Sequence, residues 1–329
     1  MIDLVTGAAG FLGSAVTRSL LARGRKVRVL VQPNADQSNL KDLDVEFVRG
    51  DVTAPETLVP ALKCVRTLYH TAGLYALSND AKEYERVNVI GTRNLLAAAQ
   101  EAGVKRLVYT SNASTVGSAP PDGVADETGI WDLGPLELPY FTSKHLAETE
   151  CLRAAAQGLD VVIVNPGMML GERDRPSSPS GRWLIEFLNG RLLAVPPMYI
   201  NIVDVDDVAE GHLLAAERGQ KGERYLLTNW NTTAEELLTR VGQLTGRRPP
   251  LVVPYEVAFA GAAVGGAVLE LLGISHATSA SLVKFAQLRM HFSNEKAVRE
   301  LGFNVTPVDA TLEKAVRWLN ASEFVKRRL

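Results

Sequence analysis

The 329-residue chain is short of several things at once. It has only two cysteines, Cys64 and Cys151, with no pairing pattern and no metal-ligand spacing. That excludes a disulfide scaffold and a thiolate metal centre, and it suits a reducing, cytoplasmic compartment. Its formal net charge is only -2, so it lacks the basic field that a nucleic-acid partner requires. It also lacks a long apolar run. The longest, Val257 to Leu269, is bracketed by Glu256 and Glu270 and is shorter than the roughly 20 residues that span a bilayer. A buried helix or a subunit contact is expected there, not stable membrane insertion. Met1 leads straight into an apolar stretch, so no secretory leader is expected. What remains is ordinary globular material, 46% apolar and 22% charged, and long enough for two lobes.

The informative stretch is the first one. Ile2 to Thr6 reads as a short buried strand, Gly7-Ala8-Ala9-Gly10-Phe11-Leu12-Gly13 follows, and an amphipathic helix is expected from Ser14 to Arg23. Strand, glycine turn and helix in that order open a dinucleotide-binding βαβ unit. Gly7 allows the tight turn, Gly10 lets the backbone approach a pyrophosphate, and Gly13 lets the helix pack on the strand. N–H groups at the start of that helix would hold the phosphate charge. The plain alternative is a strand-to-helix turn with no ligand.

Further strands are expected at 26–31, 45–48, 67–70, 106–110 and 161–164, with a long helix over 81–102. The end of the second strand normally meets the adenosine ribose, where an acid binds a 2′-hydroxyl and an Arg a 2′-phosphate. This chain has Gln32-Pro33-Asn34, which supplies neither. NADP is favoured over NAD from the missing acid alone, and Lys41 lies a short way on. Asp51, followed by Val52, ends the third strand and suits either an adenine amine or a helix cap. Thr71-Ala72-Gly73 leaves room for a ligand at the end of the fourth, and the neighbouring His70 reads as structural. Asn88 lies in the long helix, where it suits bracing the turn of the next strand. Thr110-Ser111-Asn112 forms a polar cluster at the carboxyl end of the fifth strand, where open α/β sheets put chemistry. A Pro- and Gly-rich loop to Pro139 then precedes Tyr140 and Lys144, four apart on one helix face. In that context the two read as a catalytic pair.

These motifs, with Asn165-Pro166-Gly167, Asn201 to Ala209 and Phe292 to Ala297, run in the order and rough spacing of the extended short-chain dehydrogenases/reductases. The chain resembles that family, the NAD-dependent epimerase/dehydratase type, over nearly its whole length. It looks most like the dihydroflavonol reductase-like and hopanoid-associated sugar-epimerase-like branch. The resemblance implies an α/β fold with a Rossmann-type doubly wound parallel sheet and a smaller, mainly C-terminal substrate lobe. The nucleotide domain would be 1–165 with roughly 198–228 returning, and the substrate lobe 166–197 and 229–329. It implies cofactor contacts from Gly7, Ala9, Gly10, Phe11, Leu12, Gln32, Asp51, Val52, Thr71, Ala72, Gly73, Asn88, Thr110, Tyr140, Lys144, Pro166 and Gly167. A small-molecule substrate and a homodimer built on two long helices per subunit are implied as well.

Three positions depart from the family pattern. The family's third catalytic hydroxyl stands five residues before the strand-motif glycine, which here is Gly117. The count falls on Asn112, whereas Ser111 offers the hydroxyl one residue early. Asp204 stands where relatives often carry His, and Gln32 where NADP-dependent relatives often carry Arg. Tyr140 is expected to exchange a proton with a carbonyl or alcohol, its phenol pKa lowered by the Lys144 ammonium. A carbonyl/alcohol oxidoreductase is the first reading. A nucleotide-sugar epimerase or dehydratase is the second and would recruit Arg173, Arg175, Arg182 or Arg289 for a diphosphate. Met168, Met169, Trp183 and Tyr75 suggest a more apolar pocket. A non-catalytic NAD(P) sensor is the third.

Overall fold

The computed structural model describes residues 2–75, 80–175, 179–257, 260 and 284–326. The apolar run from Val257 to Leu269 therefore lies outside the described residues, apart from 257 and 260. No helix among the described residues is long and apolar enough to cross a membrane.

Twelve strands are described. They are β1 (Ile2–Thr6), β2 (Lys26–Val31), β3 (Glu46–Arg49), β4 (Val65–His70), β5 (Arg106–Thr110), β6 (Val161–Pro166), β7 (Met168–Leu170), β8 (Ala194–Val195), β9 (Tyr199–Asp204), β10 (Arg224–Leu227), β11 (Trp230–Thr233) and β12 (Leu251–Val252). The helices are α1 (Phe11–Ala22), α2 (Leu58–Ala61), α3 (Ala81–Tyr84), α4 (Gly91–Glu101), α5 (Pro139–Ala156), α6 (Pro179–Leu188), α7 (Val205–Arg218), α8 (Ala234–Thr245) and α9 (Val308–Ala321).

Seven strands form a wholly parallel sheet in the order β10-β6-β5-β4-β1-β2-β3. The chain winds outward from β1 in one direction and restarts at β4 in the other. The crevice at the carboxyl ends of β1 and β4 is therefore a topological switch point, where such sheets bind ligands. Both sheet faces are covered, so its strands are apolar on successive residues. Val5, Val29, Tyr69, Val108 and Val162 pack under α1 and α7. Their neighbours Leu4, Leu30, Leu68, Leu107 and Ile163 pack under α4 and α5, with Cys151 among them. Both cysteines are free thiols. A second core joins Leu170, Leu184, Phe187, Ile200, Leu237 and Leu312 around the small sheet β11-β9-β7.

Two expectations shift. The first helix starts at Phe11, not Ser14, because Gly10 is already its extended N-cap and Gly13 sits in its first turn. The long helix is broken in register: Glu85–Ile90 forms a π-helical turn between α3 and α4. Asp204, at 0% exposure, caps α7 and pairs with Lys314 Nζ at 2.7 Å. That pairing joins α7 to the C-terminal helix α9.

Candidate functional site

The glycine loop owes its shape to contacts that no side chain would tolerate. Gly7 adopts φ +65°, and a Cβ there would lie 2.7 Å from Ala72 Cα. A Cβ on Gly13 would meet Thr71 Oγ1 at 2.7 Å and strike the Gly7 carbonyl. Gly10 is different: its added Cβ would approach only the Gly7 carbonyl, at 3.2 Å, and the rest of that direction is open. Behind the loop, Thr6 and Thr71 tie the ends of β1 and β4 together. Thr71 Oγ1 donates to Thr6 O (2.7 Å) and Ala72 N to Thr6 Oγ1 (3.2 Å). His70 lies between Thr6 Oγ1 (2.9 Å) and Thr92 Oγ1 (3.0 Å), and burial lowers its pKa to about 3. It is a neutral structural group.

Two cavities share Gly7, Gly10, Gly73 and Leu74 and so make one cleft over the switch point. The first, about 300 Å³, also takes in Ala9, Gln32, Asp51, Val52 and Ala72. Gln32 Nε2 donates to Asp51 Oδ2 at 2.8 Å. Burial opposes ionisation of Asp51, but donors on Thr53 and this amide hold its carboxyl below the usual range. Arg86 lines the same space, bound to both oxygens of Glu83 and to Thr53. Nothing in the sequence marked Arg86, although it lies only two residues before Asn88. Lys41 does not line it.

The second cavity, about 350 Å³, is lined by Phe11, Leu12, Thr110, Ser111, Asn112, Tyr140, Lys144, Pro166 and Gly167, with Tyr75, Met169 and Ser180 at its wall. Asn88 lines neither cavity. Its amide holds Leu74, donating to the carbonyl (3.2 Å) and accepting from the N–H (2.7 Å), and it donates to Ser143 Oγ (2.9 Å). It braces the segment after β4 and helix α5, not the turn of the next strand.

Tyr140 and Lys144 open onto the same space. Lys144 Nζ donates to Thr110 O (2.6 Å) and Tyr109 Oη (3.1 Å). Burial lowers its pKa to about 8, with Cys151 and Glu148 opposing. Tyr140 is flanked by Tyr75 (ring centroids 4.8 Å) and Phe141 (5.1 Å). Burial pushes its phenol well above the ordinary value, Tyr75 adds to this, and a hydrogen bond from Asn112 opposes it. The Lys144 ammonium is hydrogen-bonded at the end of β5.

The two candidates for third partner separate clearly. Asn112 Nδ2 donates to Tyr140 Oη at 3.3 Å, and its Oδ1 accepts from Ser114 N at 2.8 Å. Ser111, 5% exposed, turns its hydroxyl to Glu148 Oε2. Glu148 was not marked by the sequence reading. Its place four residues after Lys144 on the same helix face was the available signal.

The arginines considered for a diphosphate do not converge. Arg175 binds Ser38 and Asp36, Arg289 binds the carbonyls of Gly123 and Pro121, and Arg173 pairs with Glu172. None of these, nor Arg182, lines the second cavity. Of the apolar four, Tyr75 and Met169 line it, while Met168 and Trp183 pack on the second core. Among the described residues, no group of three or more His, Cys, Asp or Glu side chains is placed to hold a metal.

The cleft fits a dinucleotide. The first turn of α1 has neither a capping side chain nor an acid, which leaves its N–H groups for a phosphate. The open side of Gly10 faces the same place. Comparison with known proteins agrees. The model of the NAD-dependent epimerase/dehydratase family matches residues 4–228. A Synechocystis protein provisionally named dihydroflavonol 4-reductase is 37% identical over 98% of this chain and 95% of its own. Sterol demethylase protein B of Methylococcus capsulatus is 36% identical over 97% and 98%. Among solved structures, a nucleoside-diphosphate-sugar epimerase from Pseudomonas aeruginosa superposes with a TM-score of 0.83 at 27% identity, over 99% of each chain. The chain belongs to the NAD-dependent epimerase/dehydratase family of extended short-chain dehydrogenases/reductases and is an NAD(P)-dependent oxidoreductase or epimerase.

Proposed function

We propose that the chain is an NAD(P)-dependent reductase of a neutral, largely apolar carbonyl compound. The observation that carries this is the wall around Tyr140, Lys144 and Asn112, which includes Phe11, Leu12, Leu74, Tyr75 and Met169 and, among the described residues, no arginine. The 37% identical relative named for a reductase weighs the same way.

The glycine loop, Gln32, Asp51 and Val52 would hold the dinucleotide, which would supply the hydride when bound. The chain does the rest. Tyr140 gives its proton to the carbonyl oxygen as general acid. Its raised pKa keeps it a phenol across the neutral range. Asn112 orients that hydroxyl and the substrate oxygen through its amide. Lys144 holds the ribose and adds positive charge beside the developing alkoxide. Residues 166–197 and 229–329 form the substrate lobe. The protein acts as a cytoplasmic homodimer, to which the exposed Leu146 and Leu152 of α5 are suited.

A panel of neutral aromatic and alicyclic ketones, followed by nicotinamide absorbance, tests the reading. Turnover of a ketone with external cofactor is expected. Epimerisation of a nucleoside-diphosphate sugar on retained cofactor, with every ketone inert, would overturn it. The rate of reduction should decline as pH rises through about 8, where Lys144 loses its charge, while Tyr140 stays protonated. A rate that is flat to well above that pH would remove Lys144 from the mechanism.

For the cofactor, NADPH is expected ahead of NADH by no more than about tenfold, ~1.4 kcal/mol. Gln32 offers the 2′-position no carboxylate of its own, yet it brings Asp51 within 2.8 Å. Titration calorimetry with both cofactors decides this, and a clear NADH preference would refute it.

A further inference from the structure

Glu148 is 3% exposed, which a carboxylate tolerates only when it is held. Its Oε2 accepts from the Ser111 hydroxyl, from Thr115 Oγ1 (2.8 Å) and from Asn165 Nδ2 (2.8 Å). Its Oε1 faces Arg224 Nη1 at 3.3 Å, and Arg224 is itself anchored on the carbonyls of Glu127 and Gly129. Two of these partners also reach the backbone of Asn112. Thr115 Oγ1 lies 2.7 Å from Asn112 O, and Asn165 Nδ2 lies 3.3 Å from it.

One carboxylate thus gathers the turn that carries Asn112, the end of β6 that leads into Pro166 and Gly167, and the helix that carries Tyr140 and Lys144. Glu148 lines neither cavity, so it touches neither substrate nor cofactor. We propose that Glu148 is a positioning residue for the reaction. Its carboxylate sets the Asn112 turn against Tyr140 and supplies the negative charge behind Lys144. This rests on the assignment of Tyr140, Lys144 and Asn112 as the acting groups.

Four groups face Lys144 from the sheet and from α5. Tyr109 and His70 approach from the sheet, and Glu148 and Cys151 lie along α5. Burial pushes the Tyr109 phenol and the Cys151 thiol up and the His70 imidazole down, so those three stay neutral. Glu148 in turn faces Arg224, Tyr109, His145 and Cys151. Its carboxylate is therefore the anionic neighbour that favours the Lys144 ammonium.

The test compares Glu148→Gln, which keeps an acceptor oxygen and loses the charge, with Glu148→Ala, which loses both. The probe is the ketone that the parent enzyme reduces fastest, with NADPH. Glu148→Ala should lower kcat by about 10-fold to 10²-fold, the scale of a small misplacement of reacting groups. Glu148→Gln should retain more of kcat than Ala, and its alkaline limb should fall below that of the parent. Parental kcat and an unmoved limb in Glu148→Gln overturn the proposal, whatever happens to Tm. If Glu148→Ala does not fold, Glu148→Gln decides alone. Tyr140→Phe, measured in parallel, separates the two levels. Inactive Tyr140→Phe beside parental Glu148→Gln sinks the positioning role alone. Parental Tyr140→Phe removes the assignment beneath it, and the proposal with it.

Discussion

Tyr140→Phe should lower turnover by about 10²-fold to 10⁴-fold, the range for loss of a general acid, and leave cofactor affinity unchanged. The substitution removes one oxygen and little else. The ring keeps its edge contacts with Tyr75, Tyr84 and Phe141. The hydroxyl has one described hydrogen-bond partner, Asn112 Nδ2 at 3.3 Å, which retains the Ser114 N–H on its other atom. The fold should therefore survive. Steady-state kinetics with a ketone accepted by the parent, together with calorimetry, check both halves. Near-parental turnover would remove Tyr140 from the role of general acid. In the same assay Asn112→Ala should cost turnover at unchanged cofactor affinity, because its amide reaches Tyr140. Ser111→Ala should act mainly through stability, because its hydroxyl is spent on buried Glu148.

Gly10→Asp is the second large effect: cofactor binding should be lost while the chain stays folded. The three loop glycines are not equivalent. A side chain on Gly7 or Gly13 collides with the backbone that joins β1 to β4, so substitution there should damage the fold itself. At Gly10 the added atoms point into the space shared by both cavities and meet only the Gly7 carbonyl nearby. An Asp there would bring a second anion to the helix end that is to hold a pyrophosphate. Unchanged dissociation constants for both cofactors in Gly10→Asp would show that the loop is only a turn. Thermal melting of the variant separates lost binding from lost structure.

The sequence alone determined the local facts about this protein. Strand, glycine loop and helix at the start, the alternating strands and helices, and the Tyr140 and Lys144 pair are all set by neighbours in the chain. Their signals are periodicity, turn chemistry and spacing along one helix face, so they can be read without a fold. Tertiary structure decided what depends on residues far apart in sequence. It turned Lys144 toward Tyr109 and Thr110, because the ammonium finds its acceptors at the end of β5. It sent Ser111 and Asn112, adjacent residues between which the glycine count and the hydroxyl chemistry disagreed, to different partners, because alternate side chains in an extended segment leave on opposite sides. One meets Glu148 behind the turn, and the other meets Tyr140 in the cleft. It also dispersed the arginines that the sequence could only count, and it buried Glu148 among partners drawn from three separate segments. Hydrogen bonds and burial across such distances exist only once the sheet has assembled, and no local pattern encodes them.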